Sequence, residues 1–280
     1  MQTKKSRKPV KPVTVILYIF LIALAVIYVA PLLWMLCVSL KDNAGVMAAP
    51  FALPEVFHWE NYQQAWTMGK LGIALVNSVL VCGITLVVSL FFGAMAAFAI
   101  ARMHWKLSEA AHTFFLIGMM VPVHCILIPL FVRFAGLGLT NSRVGLMIPY
   151  ITFSLPMTIF LLTGFFKSMP GELFEAAAID GASPWETLWK VKLPMVMPSI
   201  TICVFLTLTN SFKLFDQNLS LTGGEPMHQT EMMALNIYDT FYGRVGYEGV
   251  GQAKAVIFFI IVAAISLTQL YFTRRKEVEN

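Results

Sequence analysis

Ser168-Met169-Pro170-Gly171-Glu172-Leu173-Phe174-Glu175-Ala176-Ala177-Ala178-Ile179-Asp180-Gly181 is the stretch on which the reading of this chain turns. Ser168 suits a helix cap, Pro170 a first helical turn, and Glu172 the positive end of the helix dipole. Gly181 is a natural stop, because glycine takes the left-handed conformation that ends helices. A second start follows at once. Ser183-Pro184-Trp185-Glu186 places serine at a cap, proline at the first position and glutamate three residues after the cap. Trp185, Leu188, Trp189 and Lys192 recur at helical spacing until Leu193-Pro194 closes the segment, with Pro198 just beyond. The stretch therefore encodes two short helices joined by a glycine elbow. Neither is long enough to be stable alone in water, so both need a surface to pack against.

Outward from this loop in both directions the chain becomes strongly apolar. Continuous apolar runs place spans at about 13–40, 72–101, 112–133, 144–166, 196–215 and 253–272. Hydrophobic residues make up 58% of the 280 and charged residues 12%, against roughly 45–50% apolar in soluble domains. A soluble fold has no place for that surplus, so it faces lipid. Six spans and their loops use up the chain and leave no room for a separate soluble domain. Pro31, Pro122, Pro129, Pro149 and Pro156 fall within spans, and kinks are expected in the third and fourth. The run after the basic N-terminus is too long for a signal-peptide core and reads as a retained first span.

Basic residues set the orientation. With the N-terminus inside, 13 lie on the inner side: Lys4, Lys5, Arg7, Lys8, Lys11, Arg102, Lys106, Lys167, Lys190, Lys192, Arg274, Arg275 and Lys276. Seven lie outside: Lys41, Lys70, Arg133, Arg143, Lys213, Arg244 and Lys254. The inner excess makes both termini cytoplasmic. The chain then divides into a basic tail (1–12), a first span with its outer loop (13–71), a membrane core (72–272) carrying the inner loop 167–194, and a basic tail (273–280). The net charge of +5 orients a membrane protein and does not point to nucleic acid.

Cys37, Cys82, Cys125 and Cys203 form no CxxC pair and read as packing residues, not as a disulfide framework or metal site. The outer loop from Asp42 to Lys70 carries Trp59 and Trp66. The last outer loop turns at Gly223-Gly224, and beyond it Met233, Ile237, Thr240 and Phe241 share a helical face. That face suits either a helix lying at the outer interface or a docking surface for an external partner. Within the spans, Ser78, Cys82, Thr85 and Ser89 form one weakly polar stripe, and Thr207, Asn210 and Ser211 another. Small polar residues of this kind either pack helices or line a pathway, and Asn210 most needs a partner or water. No HExxH pattern and no acidic pair within a span supports an intramembrane enzyme. No Walker-type phosphate loop supports ATP hydrolysis by this chain. No inverted repeat supports a self-sufficient secondary carrier.

The run Glu175-Ala176-Ala177, Asp180-Gly181-Ala182, Val191, Leu193-Pro194 and Pro198 resembles the EAA loop of ABC importer permeases. The resemblance extends over nearly the whole chain. Pro31-Leu32-Leu33-Trp34, Ser39-Leu40-Lys41, Asn61-Tyr62, Asn77-Ser78, Ala97 through Arg102, Gly145-Leu146, Pro149-Tyr150 and Phe165-Phe166 are similar to the shorter permease subunit of maltose-type sugar importers. Phe212-Lys213-Leu214-Phe215-Asp216 and Thr222-Gly223-Gly224-Glu225-Pro226 instead look like the companion subunit of such importers.

This resemblance implies an all-α membrane protein of six transmembrane helices, with the type I ABC importer (MetI-like) permease architecture, in a bacterial inner membrane. It implies a heterodimer with a second homologous permease, a cytoplasmic ABC ATPase dimer and an extracytoplasmic solute-binding protein. The implied substrate is a sugar or oligosaccharide, with glycerol phosphate or an amino acid as the alternative. ATP and magnesium would be bound by the partner ATPase, and no cofactor by this chain. The inner loop would seat in the ATPase. Glu175 would make a charged contact, Ala176 and Asp180 would belong to the same coupling motif, and Gly181 would form the elbow. Leu173, Phe174 and Ala177 would give the apolar docking face. Thr207, Asn210, Ser211 and Ser78 are the candidate pathway residues.

Overall fold

A computed structural model describes residues 12–274. The basic tail residues Lys4, Lys5, Arg7, Lys8 and Lys11, and Arg275 with Lys276, lie outside the described residues. The described chain is all helical. Helix α1 (Pro12–Ser39) is followed by short α2 (Asn43–Ala48) and α3 (Glu60–Thr67), and then by α4 (Leu71–Arg102). Helices α5 (Ser108–Met120) and α6 (Val123–Gly136) precede α7 (Arg143–Ser168). The inner loop holds α8 (Glu172–Ile179) and α9 (Pro184–Thr187), and a π-helical turn (Leu188–Lys192) runs on into α10 (Leu193–Lys213). The outer segment holds α11 (Asp216–Leu221) and α12 (Met233–Tyr242), and α13 (Glu248–Arg274) ends the described chain.

Five stretches are long and apolar enough to cross a membrane, and α5 with α6 makes a sixth that is bent by 96°. The bend falls at Val121-Pro122, both of extended backbone. Proline disfavours a helical residue before it, and here the chain obeys that restriction. The expected kink in the third span is thus a complete break. In α7, by contrast, Pro149 and Pro156 lie inside one unbroken helix. Hydroxyls of Thr152, Ser154 and Thr158 donate to carbonyls of the preceding turn along the same stretch.

Contacts between loops sort the helix ends into two sets. At one end Asn61 donates to the Ser39 and Lys41 carbonyls, Asn43 to Gly246, Asn77 to Glu231, Arg143 to Gln229, and the Asn141 amide to Leu221. At the other, Arg102 donates to the Met169 carbonyl and Ser108 to Ile100. The bent pair starts in the second set and finishes in the first, so it connects opposite faces as one broken span. Six crossings follow, with residues 102–108 and the inner loop on one face. Counted from the sequence with its basic tails, the excess of Lys and Arg falls on that face and makes it cytoplasmic.

Helices α4 and α7 pack together most extensively. Gly93 faces Thr158 so tightly that an added Cβ would come within 2.6 Å of the Thr158 methyl, and Ser89 shares a hydrogen bond with Ser154. Small residues give helices in lipid this close approach. Cys82 packs with Val81, Leu146, Tyr150 and Met232 in the outer core. Cys203 packs with Leu162, Phe166 and Val196 in the inner one. Helix α1 lies against α13 and buries only Val38 and Ser39, so most of its apolar surface is turned away from the rest of the chain.

The last outer loop departs from both readings of its amphipathic helix. Met232, Met233 and Leu235 are wholly buried, and Thr240 nearly so. The face of α12 that carries Met233 and Thr240 is therefore packed into the protein, while Tyr238 and Tyr242 stay exposed on the other. Buried polar groups hold the helix there. The Lys254 ammonium donates to the Gly69 carbonyl (3.0 Å), Asn236 Oδ1 (2.7 Å) and Thr240 Oγ1 (2.6 Å). Nearby, burial and the Glu231 carboxylate push the Asp239 carboxyl above its ordinary value.

The two-sided arrangement gives a direct test. In a chain whose four native cysteines are replaced by alanine, single cysteines at Glu60, Gly136 and Glu225 should react with an impermeant thiol reagent added outside intact cells. Cysteines at Ser108 and Glu186 should react only after the membrane is opened. The reverse pattern would invert the orientation.

Candidate functional site

Two features stand apart from regular membrane helix, one at each end of α10. The first is the inner loop. Helix α8 starts at Glu172, with the Phe174 and Glu175 amides donating to the Gly171 carbonyl. Ser168 is not its cap. That residue ends α7, and its hydroxyl donates back to Phe165. The helix stops at Gly181, whose φ of +76° is the left-handed conformation expected of the elbow. The capping box then forms as the sequence spells it. The Ser183 amide donates to Glu186 Oε2 at 3.1 Å, and the Glu186 amide to Ser183 Oγ at 3.2 Å.

The segment does not close at Leu193-Pro194. Proline has no N–H to offer the carbonyl four residues back, and the chain answers by widening one turn. The Leu193 amide donates to Leu188, five residues back, and the helix runs on to Lys213. The inner loop is thus joined to the fifth span by continuous helix.

The side chains of α8 divide differently from the expected docking face. Phe174 turns inward, against the core cluster of Leu162, Phe166, Met169 and Val196. Its ring lies 5.2 Å from the Arg102 guanidinium and 5.2 Å from the Lys192 ammonium, and Lys192 also sits 5.1 Å from the Phe98 ring. Phe98 in turn meets Phe166 edge-on. Phe174 is therefore the anchor of the loop and not part of its free face. Apolar bulk and two flanking cations make the inner position the favourable one. Ala177 is half-buried on the same side. Glu172, Leu173, Glu175, Ala176 and Ile179 are exposed, with Asp180 and Gly181 beyond them. The free face is therefore mixed, acidic and apolar, with Ile179 85% exposed.

The second feature is a cleft of about 390 Å³ near the outer end of α10. Thr207, Asn210 and Ser211, on one face of α10, all line it. Tyr150 and Ser154 of α7, Lys213, and Gln217 of α11 join them, and Val121 and Val123 at the break of the third span close one side. Gln217 is the notable member. Its residue is 1% exposed, yet neither its Oε1 nor its Nε2 has a hydrogen-bond partner within the chain. An amide in that position favours a polar occupant of the cleft, since leaving it unpaired costs roughly 1–3 kcal/mol. Beside the cleft, Asp216 faces His124 at 3.5 Å. Gln217, Tyr150 and Ser154 were not among the sequence candidates. The signal for Gln217 was the polar run Asp216-Gln217-Asn218 ending an apolar span.

Ser78 is not on this cleft. It is fully buried, and its hydroxyl accepts the Met233 amide at 2.9 Å, so it holds the outer loop in place. Asn218, adjacent to Gln217, is likewise structural. It accepts from the Met232 amide and donates to Thr222 and Thr230. Among the described residues no group of three or more His, Cys, Asp or Glu is placed to hold a metal ion.

Residues 89–278 match the model of the family described as "Binding-protein-dependent transport system inner membrane component". The chain is 39% identical over 197 residues to the diacetylchitobiose uptake system permease protein of Streptomyces coelicolor, covering 69% of this chain and 65% of that protein. It is 50% identical over 115 residues to a probable starch degradation products transport system permease protein of Thermoanaerobacterium thermosulfurigenes, covering 41% and 39%. The chain thus matches less than two thirds of the length of either relative. To the trehalose transport system permease protein of Mycobacterium tuberculosis it is 30% identical over 245 residues, 88% of each chain. In fold it matches a chain of a bacterial ABC transporter involved in the import of the acidic polysaccharide alginate. The TM-score is 0.77 at 20% identity, covering 95% of this chain and 100% of that one.

The anchor is testable without any transport assay. Two cation–π contacts at about 0.5–1 kcal/mol each amount to about 1–2 kcal/mol, roughly a five- to thirtyfold change in local opening. Phe174→Leu keeps most of the apolar bulk and loses both contacts. Amide exchange over residues 172–192 should accelerate by that factor, with the spans unaffected. Unchanged exchange would show that the loop is held by something other than the ring.

Proposed function

The chain belongs to the family of binding-protein-dependent transport system inner membrane components, and from that premise we propose that it is one of two permease subunits of an ATP-driven sugar importer. The companion is a second homologous permease, together forming a heterodimer. A cytoplasmic ABC ATPase dimer binds ATP and magnesium and supplies the energy. An extracytoplasmic binding protein delivers the solute. The chain itself performs no covalent chemistry. The substrate is a sugar or oligosaccharide, in line with the diacetylchitobiose, starch-product and trehalose permeases to which the chain is similar.

One observation carries the substrate class: the unpartnered Gln217 amide inside a cleft that also offers Asn210, Thr207 and Ser211. Such a set donates and accepts hydrogen bonds without a fixed charge pattern, and the Tyr150 and Phe153 rings supply apolar surface beside it. Hydroxyl-rich ligands are held in this way, by a few placed polar groups in a largely apolar pocket. Lys213 at the rim favours a second reading, an anionic solute such as glycerol phosphate.

Coupling runs through the inner loop. The exposed face of α8, with Glu172, Leu173, Glu175, Ala176 and Ile179, seats in a groove of the ATPase, as amphipathic helices do. Phe174 ties that helix to α4 and to the start of α10. Closure of the ATPase then moves α10, and with it the lining of the cleft at its far end.

A valine at Gly181 would be strained by the positive φ, at about 1–2 kcal/mol. Within this chain a Cβ there meets no atom within 4 Å, so backbone strain is the whole effect before a partner is added. Gly181→Val should leave the chain inserted and paired with its companion, while ATPase association or ATP-driven uptake falls by at least about tenfold, about 1.4 kcal/mol. Glu175→Ala should act the same way more mildly, and Glu109→Gln in the first turn of α5, on the same face, should be close to neutral. Gln217→Leu should keep ATPase association and lose saturable uptake of the sugar. Normal uptake in both Gly181→Val and Gln217→Leu would refute the two assigned roles. Uptake by vesicles holding this chain alone would favour a secondary carrier.

A further inference from the structure

A groove of about 400 Å³ runs between α4, α7 and α10 at the cytoplasmic end, on the side of the π turn. Of its eleven lining side chains ten are apolar, among them Phe91, Met95, Phe98, Trp189 and Ile200, and the eleventh is Lys192. We propose that this groove holds an acyl chain of an anionic phospholipid of the inner leaflet, with the phosphate on Lys192.

The geometry suits a lipid more than another helix. Phe91, Met95 and Trp189 are 61%, 56% and 52% exposed, so the groove opens sideways along its length. Helices that pack closely in a membrane need small side chains at the contact, and these walls are built mainly from large ones. From Lys192 to Ile200 the groove descends eight helical residues, about 12 Å. That is nearly the depth of one leaflet, half of a hydrocarbon core of about 30 Å. The cation therefore sits at headgroup level with the apolar trough below it. Trp189, three residues before Lys192 and edge to face with Trp185 at 5.6 Å, lines the same end of the groove, where indoles favour the membrane–water interface.

Charge selects the headgroup. Lys190 is neutralised by Glu186 at 2.9 Å. Among the described residues no carboxylate lies within 4.0 Å of Lys192, whose ammonium sits over the Phe98 and Phe174 rings. Rings attract an ammonium without cancelling its charge. Arg102 lies 5.2 Å from the same Phe174 ring and adds to the positive field. A phosphate with net negative charge completes this arrangement, and a zwitterionic headgroup does so less well.

The test uses the full chain with its co-expressed partner subunits in nanodiscs. Two photoreactive lipids carry the same diazirine acyl chain, one on phosphatidylglycerol and one on phosphatidylcholine. Phosphatidylglycerol should label peptides containing Phe91–Phe98 and Val196–Ile200 at least about fivefold more than phosphatidylcholine. Lys192→Gln should bring the two lipids to equality, and Lys192→Arg should restore the preference. Met95→Trp, which fills the trough and keeps the cation, should lower labelling by both lipids. Equal labelling in the unaltered chain, or a preference that survives Lys192→Gln, would overturn the proposal. Absence of labelling by either lipid would also overturn it, and would assign the groove to a neighbouring subunit.

Discussion

In hydrocarbon a backbone N–H or C=O has no water to turn to, and the whole architecture follows from that constraint. It makes every crossing a helix, and it makes each departure from regular helix costly unless protein or a wetted cavity covers it. Two departures stand out in the membrane core. The third span breaks at Val121-Pro122, and the break lines the polar cleft. The fifth span begins with a π turn at Leu188–Lys192, next to the cytoplasmic surface and under the Phe98 and Phe174 rings. Elsewhere α7 carries two internal prolines and remains unbroken. Proline alone does not break a span. A break persists where the freed groups meet a cavity or a protein partner.

The same constraint explains the outer end. A long segment returns over the helix ends, and its backbone groups are taken up by buried amides, hydroxyls and one ammonium. Asn61, Asn77, Asn218, Asn236, Ser78 and Lys254 each bond to a carbonyl, an amide or a side chain of a distant element. Apart from Asn77 Oδ1, which has no partner, the buried groups of this network are paired, and such a network is rigid because moving one member leaves the others unpaired in a low dielectric. Gln217 lies beside this network and is excluded from it. Its neighbour Asn218 is saturated, while Gln217 has no partner. That contrast between adjacent residues of one short helix separates a structural amide from one free to meet a ligand.

Much of this was legible in the sequence, for identifiable reasons. The spans, the elbow at Gly181 and the capping box at Ser183 and Glu186 depend on local chemistry, and the structure has them where the residues put them. Thr207, Asn210 and Ser211 could be grouped because helical spacing puts them on one face. What the sequence could not give was which neighbour each face meets. Phe174 looked like docking surface because an apolar residue on a short amphipathic helix reads the same toward either side. Only the arrival of Arg102 and Lys192 from other helices settles its direction. Ser78 looked like pathway for the same reason, since its role depends on Met233, 155 residues away. Pro194 looked like a stop because the five-residue hydrogen bond that bypasses it leaves no mark in sequence.

Helix α10 joins the two functional features, and this gives the proposed coupling a mechanical form. Lys192, at the π turn, and Asn210, at the cleft, are separated by eighteen residues, about 27 Å of helix. A helix of that length, packed along α4, α7 and α13, transmits a rotation at one end to the other with little bending. A π turn is a place where one extra residue is held in the helix, and shifting it by a residue changes the facing of everything beyond it. Phe174 grips that turn through Lys192 and grips α4 through Arg102. In the proposed coupling, a displacement of α8 by the ATPase acts first on the π turn that leads into α10. The side chains it reorients at the far end are Thr207, Asn210 and Ser211. They face Gln217 across the cleft, and Gln217 sits against the rigid outer network and does not follow. Under the proposed coupling the cleft has one wall that moves with the ATPase and one that stays, which is what binding a solute and then releasing it requires.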